Sequence, residues 1–318
     1  MKKPAFKVYT TCTPPRKKSR WGRKLALLLA AWIVASLAPD FIGGLFLSNL
    51  IEAARSGNTA VIEGWLKVPF ARYDKHNLLM EAIYGNQPEC VRMLLADERT
   101  DPNQKESDNM PPLQVAILRR NSEIARLLLE NKRVNINTRS SITGWTALAL
   151  AIYEEDAEIA QQLLAKPEVD VNVQDAPQHM TPMALALRAN DSSYLKMLLE
   201  HPEIDVNRKD NLGNTPLMCL INSPGEAAEE MIGLLLQHPG LDINSTNNEG
   251  NTALALAVEK NQPERLKKLL AHPDINVNTV NSQGLRPLNL AIQQQASECA
   301  NLLRQAGARE LPEFVPAH

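Results

Sequence analysis

Cysteine is scarce, with four in 318 residues, which excludes a small fold stapled by disulfides. Glycine (14) and proline (21) are too few for a collagen-like chain. A net charge of −2 provides no overall attraction for a polyanion. That average hides an asymmetry. Residues 1–24 carry nine Lys/Arg and no acid, and residues 25–318 carry the other 25 bases with all 36 acids. An acidic body behind a short basic leader fits nucleic acid poorly, so no nucleic-acid partner is expected. Catalytic and phosphate-binding motifs are missing too: no G-x-S-x-G, H-E-x-x-H, G-x-x-x-x-G-K-[ST] or G-x-G-x-x-G occurs. Adjacent acids such as Glu154-Glu155 and Glu229-Glu230 diverge on a helix and face solvent. The reading is therefore no enzyme, no cofactor and no metal. Apolar residues make up 44%, a globular share that argues against wholesale disorder.

One long apolar run is present. Arg16, Lys17, Lys18, Arg20, Arg23 and Lys24 precede it, and Asp40 is the one charge between Leu25 and Ile51. Residues 25–47 are long enough to cross a bilayer, which needs about 20 residues. Basic flanks stay on the cytoplasmic side. Residues 1–24 are thus read as a cytoplasmic leader and 25–47 as a single-pass signal-anchor helix in a bacterial inner membrane, with the rest facing the periplasm. Two other readings stay open: a signal cleaved after Ser36-Leu37-Ala38, leaving a soluble periplasmic protein, and a buried or interfacial helix. Cys12 has no apolar stretch before it, so a lipid anchor there is a weak reading.

The body is internally repetitive. PPLQVA (111–116), TALALA (146–151), TPMALA (181–186), TPLMCL (215–220), TALALA (252–257) and RPLNLA (286–291) align, with NLLMEA (77–82) as a weaker first copy. Their third positions, Leu79, Leu113, Leu148, Met183, Leu217, Leu254 and Leu288, are spaced 34, 35, 35, 34, 37 and 34. A second signature keeps step, ending at Asn103, Asn137, Asn172, Asn207, Asn244 and Asn278. Thr146, Thr181, Thr215 and Thr252 stand where a helix N-cap is wanted. Pro182, Pro216 and Pro287 follow at the first helical position, where proline costs least. A polar turn at Asn121, Asp156, Asn190 or Asn261 leads to a second helix with apolar residues at helical spacing, such as Ile159, Leu163 and Leu164. A loop with Gly144, Gly213, Gly250 or Gly284 closes the unit.

This pattern resembles the ankyrin repeat. The family motif G-x-T-P-L-H-x-A is matched by GNTPLMCL (213–220) and GNTALALA (250–257), and the resemblance covers residues 48–310. It implies an all-α solenoid of helix-turn-helix units with projecting loops, about seven repeats behind a divergent N-terminal cap (48–68), followed by a tail at 311–318. It also implies protein binding by loop tips and first helices. The family histidine is missing: Met80, Gln114, Ala149, Ala184, Met218, Ala255 and Asn289 stand in its place. Since that imidazole ties neighbouring loops, looser loops are expected. The 37-residue unit places its extra residues in INSPGEA (221–227), either a tolerated insertion or a partner-specific knob.

Little else suggests chemistry. His201, His238 and His272 recur at one place per repeat, too far apart to share a metal, and read as helix-end residues. Cys90, Cys219 and Cys299 read as small core residues. Free thiols weigh mildly against export to an oxidising compartment.

Function is expected on the outer skin. The residue before each Thr-Pro-Leu block projects from a loop: Met110, Trp145, Met180, Asn214, Asn251 and Leu285. Trp145 is the favoured anchor, with packing on a neighbouring loop as the alternative. Arg139, Arg208 and Lys209 add loop cations, and Tyr153, Arg119, Arg120 and Arg188 lie near first-helix ends. The expected partner of this monomeric chain is one protein. Bacterial membrane-anchored ankyrin proteins include immunity proteins against secreted toxins, among them lipase-type effectors, and that is the favoured specific reading. An exported effector that binds host proteins and a periplasmic chaperone-like scaffold are the alternatives.

Overall fold

Four times along the chain, a threonine hydroxyl opens a helix. Oγ1 of Thr146, Thr181, Thr215 and Thr252 accepts the backbone N–H of Ala149, Ala184, Met218 and Ala255. Each bond satisfies a donor that the first helical turn leaves without a partner. Pro112, Pro182, Pro216 and Pro287 occupy first helical positions, where their missing N–H costs nothing.

The computed structural model describes residues 41–67, 78–105, 110–174 and 180–310. The expected leader and residues 25–40 of the expected span lie outside them, as do Cys12, His76, His179, His318 and the tail. The chain divides into two units, Met1–Ala53 and Ala54–His318. Helix α1 (Phe41–Ser56) crosses that division, and α2 (Thr59–Leu66) follows. No helix among the described residues is long and apolar enough to cross a membrane.

The second unit is a row of helix pairs. The first members are α3 (Leu78–Tyr84), α5 (Pro112–Leu118), α7 (Ala147–Tyr153), α9 (Pro182–Ala189), α11 (Pro216–Asn222), α13 (Ala253–Glu259) and α15 (Pro287–Gln293). The second members are α4 (Pro88–Ala96), α6 (Ser122–Glu130), α8 (Ala157–Leu164), α10 (Ser192–Leu199), α12 (Glu226–Leu236), α14 (Pro263–Leu270) and α16 (Ser297–Gln305). Each first helix packs on its own second helix and on the first helices before and after it, and the second helices, from α2 onward, form a parallel layer. The core is the seam between those layers. Ala116, Ala151, Ala186, Ala257 and Ala291 are fully buried at one register, where a small side chain lets successive helices approach closely; Leu220 takes that place in the longer unit.

The turn inside each pair combines two positions. The first is left-handed: Arg120, Glu155, Asn190 and Asn261 have φ between +49° and +58°. The next caps the second helix, as Asp156 does by accepting the Ile159 N–H at 3.1 Å. Asn121 departs from this. Its Nδ2 reaches the preceding unit and donates to the Ile83 carbonyl at 3.1 Å.

The loops are tied without the family histidine. Asn103, Asn137, Asn172, Asn207 and Asn244 each donate from Nδ2 to a carbonyl of the next unit (Arg133, Glu168, Glu203, Gly240, Asp274) at 2.6–2.7 Å. Each accepts in return, through Oδ1, the N–H of Asn135, Asp170, Asp205, Asp242 or Asn276 at 2.7–2.9 Å. One carboxamide supplies a donor and an acceptor at fixed spacing, which a ladder between identical loops needs. Gln114, at a histidine position, donates from Nε2 to the carbonyls of Thr138 (2.8 Å) and Trp145 (2.9 Å) in the following unit. The expected looseness is thus offset by amides. His201, His238 and His272 end their helices as read: each Nδ1 accepts the N–H two residues on, at 3.1–3.2 Å.

Asn289, at the last histidine position, is fully buried, and neither atom of its amide has a hydrogen-bond partner among the described residues. A buried polar group left unpaired costs about 1–3 kcal/mol. Asn289→Leu, close in volume, is expected to raise the free energy of unfolding by that amount, read as a higher urea midpoint. A lowered midpoint would show that the amide is paired.

The insertion is anchored. Arg265 of α14, only 7% exposed, donates to the carbonyls of Leu220 (3.1 Å), Ile221 (2.7 Å) and Ser223 (2.7 Å), and its Nε donates to Glu229 (2.6 Å). The guanidinium therefore closes the C-terminus of α11 and fixes the start of the longer connection, while Pro224 and Gly225 stay exposed.

Candidate functional site

Two rows of side chains run along the face made by first helices and loops. The row of loop tips is Met110, Trp145, Met180, Asn214, Asn251 and Leu285. The row of first-helix ends, on the same 34–37-residue spacing, is Tyr84, Leu118, Tyr153, Arg188, Asn222, Glu259 and Gln293. The two rows change character one unit apart. Tyr84, Leu118 and Tyr153 give way to Arg188 and then to polar residues, and Met110, Trp145 and Met180 give way to asparagine.

The polar part of the tip row holds the loops to one another. Asn214 Oδ1 accepts from Asn247 Nδ2 at 3.1 Å, and Asn251 Oδ1 accepts from Asn281 Nδ2 at 2.9 Å. Asn251 is only 6% exposed. These two tips are therefore structural. Leu285 is half-buried on the far side of them, separated from the other apolar tips.

The apolar part is a surface. Tyr153 is 56% exposed, Leu118 47% and Ile142 64%, and Trp145 is half-buried. The rings of Trp145 and Tyr153 lie 4.8 Å apart at 50°. Trp145 thus packs within its own unit, on Tyr153, with part of the indole open to solvent. Sequence reading missed Leu118 and Ile142. Leu118 shares the register of Tyr153, which was the available signal, whereas Ile142 is exposed by the turn at Ser141–Thr143 and no periodicity marks it.

The predicted cations separate by role. Lys209 Nζ donates to the Thr246 carbonyl at 2.6 Å and so ties two loops. Arg119 lies over the Tyr84 ring at 4.7 Å, and Arg120 faces Glu154 at 3.7 Å. Arg139 is exposed on its loop. Arg188 and Arg208 meet along one groove of about 650 Å³ between α9 and α11, which Met180, Leu187, Cys219 and Pro224 also line. Arg188 places its guanidinium 3.8 Å from the Met180 sulfur. Cys219 is a correction to the core reading. It is partly exposed in the groove wall, its thiol is pushed up to about 11 by burial and then by the Asp210 carboxylate, and it is inert as a nucleophile at neutral pH. Cys90 and Cys299 are buried as read, and burial raises both thiols. Among the described residues no three His, Cys, Asp or Glu side chains converge as a metal site.

The family model for ankyrin repeats matches three times, over residues 79–175, 148–247 and 225–311. The chain belongs to the ankyrin-repeat family. The solved ankyrin repeat domain of Bcl-3, a member of the IkappaB family, is similar at 21% identity with a TM-score of 0.61, covering 73% of this chain and 99% of that one. An ankyrin repeat domain from Acinetobacter baumannii AYE shares 29% identity over 51% of this chain and 81% of its own, with a TM-score of 0.44. No curated protein matches the sequence. Ankyrin repeats are a scaffold for protein–protein interaction, and such an array uses its interior for stacking and its loops and first helices for contact.

Proposed function

We propose that this ankyrin-repeat protein captures one protein partner through the apolar strip formed by Met110, Leu118, Trp145, Tyr153 and Met180, and that it performs no chemistry of its own. The strip carries the reading. It is a set of apolar side chains on the family's contact face, with Leu118 and Tyr153 exposed and Met110, Trp145 and Met180 half-buried, beside asparagines that are occupied internally. Exposed aromatic anchors of this kind dominate protein interfaces. We further propose an array of seven repeats beginning at α3, preceded by a divergent cap and tethered by residues 25–47 to a bacterial inner membrane, repeats in the periplasm. The basic cluster from Arg16 to Lys24 ahead of an apolar run supports that orientation. A tethered binder in that compartment suits an immunity protein that holds a secreted toxin of lipase type.

Envelope extracts passed over the full chain in detergent are expected to yield one enriched protein. Trp145→Ala is expected to weaken its capture about tenfold or more. The stability loss should stay below the ~3–5 kcal/mol of truncating a core tryptophan. Unchanged capture with a large stability loss would make Trp145 a packing residue and sink the strip as the contact. A reporter enzyme active only outside the cytoplasm, fused at residue 48, tests the orientation; an inactive fusion rules out the periplasmic placement.

A further inference from the structure

Resting on the protein-binding reading, we propose that the groove between α9 and α11 receives an extended segment of the partner carrying a carboxylate next to an apolar side chain. Four observations carry this. First, Arg188 and Arg208 are exposed and line the same groove, and no ion pair with an acid engages either of them among the described residues. Most arginines elsewhere are engaged: Arg55, Arg99, Arg126, Arg265 and Arg304 face carboxylates, and Arg133 holds four carbonyls. Secondly, the one carboxylate among the described residues that line the groove is occupied from within. Asp210 Oδ1 accepts the N–H groups of Leu212 (2.9 Å) and Asn214 (2.8 Å), and its Oδ2 faces Asn214 Nδ2 (3.5 Å) and the Cys219 thiol (3.9 Å). It shapes the wall and leaves the two guanidinium groups to an incoming anion.

Thirdly, the wall is mixed. Met180 and Leu187 offer apolar surface within the same groove, so a lone anion would leave part of it unfilled, and a peptide with one acid and one aliphatic side chain matches both parts. Fourthly, the far wall comes from the insertion. Ser223 and Pro224 line the groove, and Arg265 holds the Ser223 carbonyl at 2.7 Å. The extra residues of the 37-residue unit thus build a rigid edge for a ligand. Guanidinium groups recognise carboxylates by paired N–H donors, so the fit is to an acidic segment, and the acidic body of the chain disfavours a nucleic acid in the same place.

The test is selection of a displayed library of random dodecapeptides on the full chain in detergent, then anisotropy titration of the enriched peptides. The expected result is enrichment of Asp or Glu beside an aliphatic residue. Affinity should fall about tenfold or more with Arg188→Glu or Arg208→Glu, and with the amide analogue of the peptide. It should be unchanged by Lys132→Glu, an exposed site on another surface. A peptide with lysine in place of the acid should regain binding to the doubly reversed chain. Enriched peptides lacking an acid, acidic peptides indifferent to Arg188→Glu and Arg208→Glu, or no enriched peptide at all would each overturn the groove assignment. Capture of a folded partner sensitive to Trp145→Ala would in those cases leave the protein-binding reading standing. Loss of both would end both.

Discussion

Leu254→Ala lowers the stability of the repeat array by about 2–5 kcal/mol, the range for truncating a fully buried leucine whose surroundings relax only in part. Leu254 has no exposed surface and sits in α13, which packs on α11, α14 and α15. Its loss therefore weakens three helix contacts together. In a linear array, stability is a sum of unit and neighbour terms. The damage should be local, with the units from α13 onward melting before the rest. Urea unfolding followed by circular dichroism is expected to show a lower midpoint and a reduced apparent slope, as an all-or-none transition gives way to two. Leu212→Ala, at a loop tip with 63% exposure, is the comparison and should change little. Equal effects for the two would mean that the register of buried positions is misassigned.

Arg265→Ala is expected to cost about 3 kcal/mol, because it leaves the carbonyls of Leu220, Ile221 and Ser223 without their donor and takes one of two cations from Glu229. Arg265→Lys should not rescue it, since an ammonium cannot span three carbonyls and a carboxylate in the plane of a guanidinium. The pH dependence has a definite sign. Burial alone would raise the Glu229 carboxyl, but hydrogen bonds from Lys268 and Arg265 outweigh it and hold the group below its ordinary 4.5. A carboxyl lowered in the folded state stabilises fully above that ordinary value, and loses its contribution as pH falls through the lowered one. The stability gap between the native chain and Glu229→Gln should therefore be constant near neutrality and close as pH falls below about 4.5. A gap that persists in acid would show that the ion pairs are not its source. Arg265→Ala also releases the Ser223 carbonyl, so weaker binding of an acidic peptide should accompany it.

The array was legible because each feature that builds a unit is local. Thr146, Thr181, Thr215 and Thr252 cap helices by reaching three residues ahead, and His201, His238 and His272 cap turns two residues on, so spacing alone locates them. The site was legible only in part. Trp145 and Met180 were named from their register, but their register does not distinguish them from Asn214 and Asn251, whose amides are bonded to other loops. Lys209 and Arg208 are neighbours in sequence, yet one binds the Thr246 carbonyl and the other lines the groove. Cys219 aligned with a core leucine and proved to be wall.

The sequence by itself determined the repeat unit, its period, its membership of the ankyrin family and the absence of catalytic motifs, because those rest on residue types at fixed short intervals. The tertiary structure alone decided which polar side chains are occupied by the next unit and which remain available. It also showed that Arg265, some 40 residues away, rigidifies the insertion. Those outcomes depend on bonds between units 30 or more residues apart, and nothing in a single repeat states where its neighbour's carbonyls will lie.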